Sequence, residues 1–218
     1  MASHEFRTPL STILSSIYLL QKYSKTDEQP KREKHIDRIV SAVTTLTDIL
    51  NDFLSVGKIE EGKIVAKFTH FRINDHIKSI INELSTILKK GQQMVYQHSG
   101  EEQVWLDPSL LKHIAMNLLS NAIKFSPENS TITIQTSSTA KGLEFRVKDQ
   151  GLGIGKEDQQ HLFERFFRGT NVTAIQGTGL GLHIVQKYAE LMNGKVCCES
   201  ELEKGTEFIL QFEVLNNE

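Results

Sequence analysis

Residues 113–127, HIAMNLLSNAIKFSP, combine an apolar face and a polar stripe at helical spacing. The apolar face consists of Ile114, Leu118, Ala122 and Phe125. Because such a face is buried against another layer, the stretch predicts a core helix from about residue 108 to about residue 125. Asp107 is well suited to the N-cap of that helix, and Pro108 is well suited to its first position.

Short alternating segments on both sides of this helix predict strands. They lie at roughly 93–98, 103–106, 131–137 and 143–149, with a final hairpin at roughly 195–200 and 206–213; KIVAKFTHF, at 63–71, alternates in the same way. Further helices are expected at roughly 74–90, 158–166 and 179–193. The fold class is therefore α+β, with helices packed over a mixed sheet as an α/β sandwich.

The first 60 residues form a different region, with no glycine before Gly57. Apolar residues recur there in two helical runs: Phe6, Leu10, Ile13, Ile17 and Leu20, then Ile36, Val40, Val43, Leu46, Leu50 and Phe53. A charged connection containing Pro30 separates the runs, which predicts an antiparallel helical hairpin. Gly57 and Gly62 are expected to end the helices, so that a domain boundary near residue 61 divides the chain into 1–60 and 61–218.

A lone helical hairpin buries too little apolar surface to be stable by itself. We therefore expect two copies of the chain to dock into a four-helix bundle, which makes the protein a homodimer. Packing of the hairpin against the rest of the same chain is the alternative.

Composition limits the classes of partner. The 25 Lys and Arg residues nearly balance the 27 Asp and Glu residues, which does not favour nucleic acid or a membrane surface. Cys197 and Cys198 are adjacent, so a disulfide between them is disfavoured and a reducing, cytoplasmic setting fits. The sequence shows no apolar run of about 20 residues, and any membrane attachment is expected only through other parts of a longer parent protein.

The polar stripe of residues 113–127 consists of His113, Asn117, Asn121 and Lys124, which lie within about 80° of one another on a helix. Amide oxygens are suitable ligands for Mg²⁺, and a lysine supplies positive charge to phosphates. A solvated helix face is the alternative interpretation of the stripe.

Two glycine clusters follow, DQGLGIG at 149–155 and GTGLGL at 177–182. Their glycines are Gly151, Gly153 and Gly155, then Gly177, Gly179 and Gly181. Glycines permit close backbone approach, and a helix N-terminus offers free N–H groups to phosphate, so the clusters indicate a nucleotide site. A Rossmann site is disfavoured because GTGLGL follows a polar loop, and a Walker A pattern is absent. Asp149 could accept a hydrogen bond from the amine of adenine; a turn-forming role is the alternative.

Between the clusters lies HLFERFFRGTNVTAIQ, at 161–176, whose aromatic residues could anchor one edge of a mobile lid. Arg165 or Arg168 could then reach a terminal phosphate, although a basic surface residue is an equally good interpretation of each.

Five stretches together, SHEFRTPL, NLLSNAIKFSP, DQGLGIG, LFERFFRG and GTGLGL, resemble in order and spacing the H, N, G1, F and G2 boxes of two-component sensor histidine kinases. The resemblance covers essentially the whole chain. It implies a dimerisation and phosphoacceptor hairpin, followed by a catalytic domain of the Bergerat type that uses ATP and Mg²⁺. It also implies that an aspartate of a response regulator receiver domain receives the phosphoryl group, with a possible phosphatase activity toward that partner.

The same resemblance assigns roles to residues of the nucleotide site. Asn117 would hold Mg²⁺, Asn121 and Lys124 would contact phosphates, and Asp149 would bind the adenine amine. The remaining nucleotide-binding positions would be Gly151, Gly153, Phe163, Arg168, Gly177, Thr178, Gly179, Leu180 and Gly181.

His4 and Glu5 begin the first helical run. A zinc protease motif, His-Glu-x-x-His, is excluded because position 8 is Thr8. Helical phase places His4 about 160° from the apolar seam, and Thr8 on the same outer face. With the kinase resemblance, His4 is expected to be the nucleophile and Glu5 the base or orienting residue. Thr8 matches the family position that helps to place water for dephosphorylation, and Pro9 is expected to kink the helix.

Two other functions remain open. Another ATPase of the same fold, such as a chaperone, topoisomerase or repair protein, would carry a water-activating Glu four residues before Asn117, where this chain has His113. A non-catalytic dimeric scaffold with a degenerate nucleotide site is disfavoured by the complete set of polar and glycine positions.

Overall fold

The computed structural model describes residues 2–23, 28–169 and 177–213, with side chains from residue 5 onward. The helices of the described residues are α1 (Ala2–Lys22), α2 (Gln29–Glu60), α3 (Ile73–Leu84), α4 (Pro108–Phe125), α5 (Lys156–Gln159) and α6 (Gly181–Leu191). The strands are β1 (Thr69–Arg72), β2 (Gln93–Gly100), β3 (Gln103–Leu106), β4 (Thr131–Thr139), β5 (Gly142–Lys148), β6 (Gly194–Glu201) and β7 (Gly205–Glu213).

Helices α1 and α2 pack against each other as the expected hairpin. The buried residues of α2 recur every seven positions: His35, Ala42, Ile49 and Val56. This heptad spacing is typical of helices that pack side by side with a small crossing angle. Near the connected end of the hairpin, the buried His35 imidazole lies with its Nδ1 3.5 Å from the hydroxyl of the buried Ser16. The interior of the hairpin therefore includes a polar pair among small and apolar residues.

The ends of α2 differ from the sequence prediction. Pro30 lies in the first turn of the helix, where its missing N–H costs nothing, and not in the connection before it. Gly57 lies within α2, which continues to Glu60. Gly62, with φ of +64°, adopts the left-handed conformation just beyond the helix.

The larger sheet is mixed, as expected, with the strand order β2-β4-β5-β7-β6. Strands β2 and β4 are parallel, and the other neighbours are antiparallel. Burial alternates along β4 and β5, so one face of the sheet enters the core. Helices α3, α4 and α6 supply buried apolar side chains to the same core. This arrangement confirms the predicted α+β sandwich.

The cap predicted for α4 is present. The Asp107 carboxylate accepts hydrogen bonds from the backbone N–H groups of Ser109 (2.8 Å) and Leu110 (3.0 Å), and α4 spans the predicted residues. The second carboxylate oxygen of Asp107 accepts a hydrogen bond from the backbone N–H of Lys67 at 2.7 Å. Because Lys67 is tied to this cap, the strand predicted over 63–71 is wrong in extent: only Thr69–Arg72 forms β1, paired with β3.

Two helix predictions also need correction. The helix expected at 74–90 ends at Leu84 and continues only as a 3₁₀ turn, Ser85–Ile87. The helix expected at 158–166 is the single turn of α5, followed by irregular backbone. There, Phe166 has φ of +61°, which an α-helix does not permit, and its N–H donates to the carbonyl of Gly179 at 2.9 Å.

Several large apolar residues of the hairpin are exposed. They include Leu10, Ile17, Val40, Val43, Leu50 and Phe53. Among the described residues, α2 is also the one helix whose length and composition would suffice to cross a membrane, which is weak evidence because helices of soluble proteins meet the same criteria. In this chain the hairpin leaves its apolar surface uncovered, as expected if a further surface packs on it.

Candidate functional site

A cavity of about 820 Å³ lies where α4, the start of α6 and the end of β5 face the hairpin. Ten of the nucleotide-site residues predicted from the sequence, together with the predicted base, line it: Glu5, Asn117, Asn121, Lys124, Asp149, Gly153, Arg168, Gly177, Thr178, Gly179 and Gly181. Residues 170–176 of the predicted lid lie outside the described residues. The fold thus brings together side chains that are more than 100 positions apart in sequence.

The polar stripe of α4 forms one wall of the cavity. The amide nitrogen of Asn121 donates a hydrogen bond to the amide oxygen of Asn117 at 3.2 Å, which orients both side chains. Burial lowers the pKa of Lys124, and the nearby Arg168 guanidinium lowers it further. Two cationic groups therefore share this end of the cavity, where an anionic group would stabilise both.

Two glycines let the loop before α6 approach this wall. A Cβ on Gly181 would lie 2.6 Å from the Asn117 amide oxygen, and a Cβ on Gly177 would lie 3.3 Å from the Lys124 ammonium nitrogen. Helix α6 begins at Gly181 with no side-chain cap. Its first N–H groups thus lie beside Asn117 without a capping side chain, an arrangement suited to phosphate.

Asp149 follows β5, is buried and lines the same cavity. Its Oδ1 accepts hydrogen bonds from the backbone N–H groups of Gly151 (2.8 Å) and Thr206 (3.2 Å). Burial raises the pKa of Asp149, and these two hydrogen bonds oppose the rise. A Cβ on Gly151 would lie 2.8 Å from that carboxylate oxygen and 2.8 Å from the carbonyl of Phe125. Glycine at 151 therefore serves the placement of Asp149, although Gly151 does not line the cavity.

The loop that leads into α6 is held on both sides. Gly179 has φ of +68° and packs on the backbone of Phe166 and Phe167, so a side chain there would be strained and would clash. The Thr178 hydroxyl accepts a hydrogen bond from the Leu180 N–H at 3.1 Å and donates one to Asp52 Oδ2 at 2.9 Å.

The hairpin contributes residues that the sequence prediction did not include. Asp48 and Asp52 lie one helical turn apart on α2 and line the cavity with Thr45, Ile49 and Asn51. Burial raises the pKa of both carboxyl groups. The two aspartates at positions i and i+4 were a visible signal of one acidic helix face. Nothing in the sequence indicated, however, that this face would meet the nucleotide-site loop.

Besides Gly151, three of the predicted site residues do not line the cavity. The Phe163 side chain packs against the hydrophobic core, and its carbonyl contacts His183 Nδ1 at 2.9 Å. Leu180 is buried in the same core, and Thr8 is exposed on α1. The backbone of His4 lies in α1, and its side chain is outside the described residues.

Comparison with known proteins explains this combination of a hairpin and a glycine-lined cavity. Residues 106–216, which are 111 of the 218 residues, match the family described as histidine kinase-, DNA gyrase B- and HSP90-like ATPases. The chain belongs to this family. Residues 1–62 match the His Kinase A (phospho-acceptor) domain. The phospho-acceptor match precedes the ATPase match along the chain, and together they confirm the resemblance seen in the sequence: the chain is a histidine kinase core.

Relatives of this histidine kinase core extend beyond the region shared with it. The sensor histidine kinase GacS of Pseudomonas protegens is 33% identical over an alignment of 216 residues, which covers 94% of this chain and 23% of GacS. The signal transduction histidine-protein kinase ArlS of Staphylococcus aureus is 30% identical over 213 residues, which are 97% of this chain and 47% of ArlS. The chain thus spans less than half the length of each relative.

A solved structure shares the arrangement of both parts. Full-length ShkA in complex with AMPPNP superposes with a TM-score of 0.73 at 28% identity, covering 98% of this chain and 45% of ShkA. The fold of this histidine kinase core is therefore found in a protein whose structure holds an ATP analogue.

Proposed function

We propose that the chain is the ATP-dependent core of a sensor histidine kinase, which phosphorylates His4 and passes the phosphoryl group to an aspartate of a response regulator. One observation carries this proposal. Glu5, the neighbour of His4, lines the same cavity as Asn117, Lys124 and Asp149. The phosphoryl donor and acceptor would therefore meet in one cavity.

The described residues fit ATP. Asp149 has one carboxylate oxygen occupied by two backbone N–H groups, so its other oxygen remains for the amine of adenine. Lys124 and Arg168 supply positive charge for the phosphates, as do the first N–H groups of α6. The glycines at 177 and 181 leave room beside α4 that a Cβ would fill.

Mg²⁺ also fits this donor set. Asn117 would hold it through its amide oxygen, with Asn121 orienting that oxygen through the 3.2 Å hydrogen bond. The ion would neutralise charge that develops on the phosphates during transfer.

Transfer to His4 is a nucleophilic displacement. The neutral imidazole forms an N–P bond to the γ-phosphorus while the bond to the bridging oxygen of ADP breaks, and Glu5 accepts the imidazole proton. A carboxylate oxygen of a receiver-domain aspartate then takes the phosphoryl group from His4. With Thr8 placing a water near that aspartyl phosphate, the same surface would support a phosphatase reaction.

The hairpin is proposed to form a homodimer. Val40 is 59% exposed and Phe53 is 52% exposed, although both belong to the apolar runs that predict helix packing. A second hairpin would cover these side chains and complete a four-helix bundle. Because the chain covers only part of its relatives, we assign membrane attachment and the stimulus to other segments of a longer parent protein, with this core in the cytoplasm.

A labelling experiment tests the proposal. The chain is incubated with γ-labelled ATP and Mg²⁺, alongside His4→Gln, Asn117→Ala and, as a matched control, the exposed His70→Gln. Acid-labile label on the wild-type chain and on His70→Gln, and none on the other two, is expected. Label that survives His4→Gln would contradict the choice of acceptor. Free phosphate without protein label would favour an ATPase of the chaperone or topoisomerase type, although the position of its water-activating Glu is His113 here.

A further inference from the structure

Three polar contacts join the hairpin to the segment between α5 and α6 of the same chain. The Thr178 hydroxyl donates to Asp52 at 2.9 Å, Arg168 lies 3.5 Å from the Glu5 carboxylate, and Arg165 pairs with Glu60. In each contact the hairpin supplies the carboxylate and the other segment supplies the donor. This consistent polarity indicates a specific docking surface between the two parts of the chain.

The Asp52 contact lies closest to the expected phosphate position. The Thr178 hydroxyl that donates to Asp52 also accepts the Leu180 N–H, in the turn directly before the first residue of α6. A shift of Thr178 would therefore shift the start of α6. The first backbone N–H groups of α6 are the ones proposed to bind phosphate. Asp52 therefore fixes the position of the phosphate-binding part of the site relative to α2.

The proposed phosphoryl acceptor, His4, is also linked to α2. Helix α1, which carries His4 and Glu5, packs along α2, and Glu5 and Asp52 line one cavity. Asp52 therefore contacts the proposed ATP site through Thr178. It is also linked to His4, the proposed phosphoryl acceptor, because α1 and α2 pack together in the hairpin.

A second series of contacts between the hairpin and α6 supports this docked geometry. Arg165, paired with Glu60, also donates through Nε to His183 Nε2 at 3.2 Å, and His183 Nδ1 lies 2.9 Å from the Phe163 carbonyl. His183 belongs to α6. The hairpin thus holds α6 at its first turn through Thr178 and again through His183.

We propose that Asp52 is a positioning residue for phosphoryl transfer. Through Thr178, Asp52 docks the start of α6 against α2, so that the γ-phosphate of ATP faces His4. This inference rests on the proposed kinase function. It assigns to Asp52 an effect on the transfer step and not on nucleotide affinity.

The test compares Asp52→Ala and Asp52→Asn with Asp37→Ala, an exposed aspartate on the same helix that does not line the cavity. The rate of His4 labelling at saturating ATP, the affinity for ATP by displacement of a fluorescent nucleotide, and the unfolding temperature are measured for each. Loss of the hydrogen bond to the half-buried carboxylate in Asp52→Ala is expected to lower the saturating rate roughly tenfold, with ATP affinity changed by less than about twofold.

Asp52→Asn is expected to recover most of the rate, because its amide oxygen can still accept the Thr178 hydroxyl, and Asp37→Ala should match the wild type. An unchanged or increased rate in Asp52→Ala would overturn the inference, as would a loss confined to ATP affinity. If the wild-type chain takes no label, the proposed function itself fails; if it takes label and Asp52→Ala labels equally fast, only the present inference fails.

A reversible tether checks whether the docked state is productive. Asp52→Cys and Thr178→Cys are combined in a chain with Cys197→Ser, and labelling is compared with and without reductant. Faster labelling of the oxidised form is expected, because the disulfide replaces the lost contact. Slower labelling of the oxidised form would show that the docked state inhibits transfer and would overturn the inference.

Discussion

Replacing Asp149 with asparagine separates nucleotide binding from folding in this chain. The substitution keeps Oδ1, which accepts the Gly151 and Thr206 N–H groups, and converts Oδ2 into an N–H₂ group. A donor would then face the amine of adenine, which is itself a donor. Loss of one hydrogen bond to a charged acceptor costs about 1.5–3 kcal/mol, so ATP affinity should fall roughly 10- to 150-fold.

Whereas Asp149→Asn should weaken ATP binding, it should not weaken the stability of the nucleotide-free fold. The pKa of Asp149 is raised above its ordinary value of 3.8 mainly by burial, so the folded state binds this proton more readily than the unfolded state does. The ionised group therefore destabilises the fold, and its cost grows as the pH rises from 3.8 through the folded-state pKa and is constant above that. Asp149→Asn, which does not titrate, should be at least as stable as wild type at neutral pH and should lose this advantage in acid.

Two measurements check this prediction: ATP affinity by displacement of a fluorescent nucleotide, and unfolding in urea without nucleotide at several pH values. Asp37→Asn, an exposed aspartate on α2, is the matched control and should change neither quantity. ATP affinity within about twofold of wild type in Asp149→Asn would refute the adenine assignment. A large loss of stability at neutral pH would instead refute the account of the buried charge.

Three further predictions concern other parts of the site and the hairpin. Gly181→Ala should lower ATP affinity at least tenfold, measured by the same displacement assay, because its Cβ would lie 2.6 Å from the Asn117 oxygen. Val40→Glu should convert the proposed dimer to monomer in sedimentation equilibrium, since it places charge in the apolar face. Glu5 and Asn117 of one chain line a single cavity, so phosphoryl transfer should occur within one chain. In mixed dimers of His4→Gln and Asn117→Ala chains neither chain has both the acceptor and a complete ATP site, and no label should appear.

The first two of these predictions have matched control variants. Gly57→Ala should leave ATP affinity unchanged, because a Cβ there has nothing within 4 Å. Arg32→Glu, an exposed charge reversal on α2, should leave the dimer intact. Label on the Asn117→Ala chain of the mixed dimer would show transfer between subunits, and a dimeric Val40→Glu chain would exclude the proposed interface.

The sequence was sufficient to predict elements whose signals are local. Helix α4 has the predicted bounds because Asp107, Pro108 and the apolar spacing agree on one helix. The segment after α5 was predicted wrongly because the aromatic residues around Phe163 have helical spacing, whereas the left-handed φ of Phe166 depends on its contact with Gly179, 13 positions later.

The site was predictable on one side only. Glycines and polar residues of α4 and the loops carry a recognisable pattern, and most of them line the cavity. On α2 the sequence shows an acidic face but not what that face contacts, because the partner of Asp52 is Thr178, 126 positions away. Contacts of this kind depend on how two parts of the chain dock, and helical periodicity contains no information about that docking.

The buried pair of His35 and Ser16 limits how the hairpin can move. Sliding α1 along α2 by one turn, about 5.4 Å, would remove the serine hydroxyl from the imidazole and leave the buried ring without this polar partner. The two helices should therefore move together as one rigid body. A displacement of α1 is therefore expected to move α2 as well, including Glu60, which pairs with Arg165.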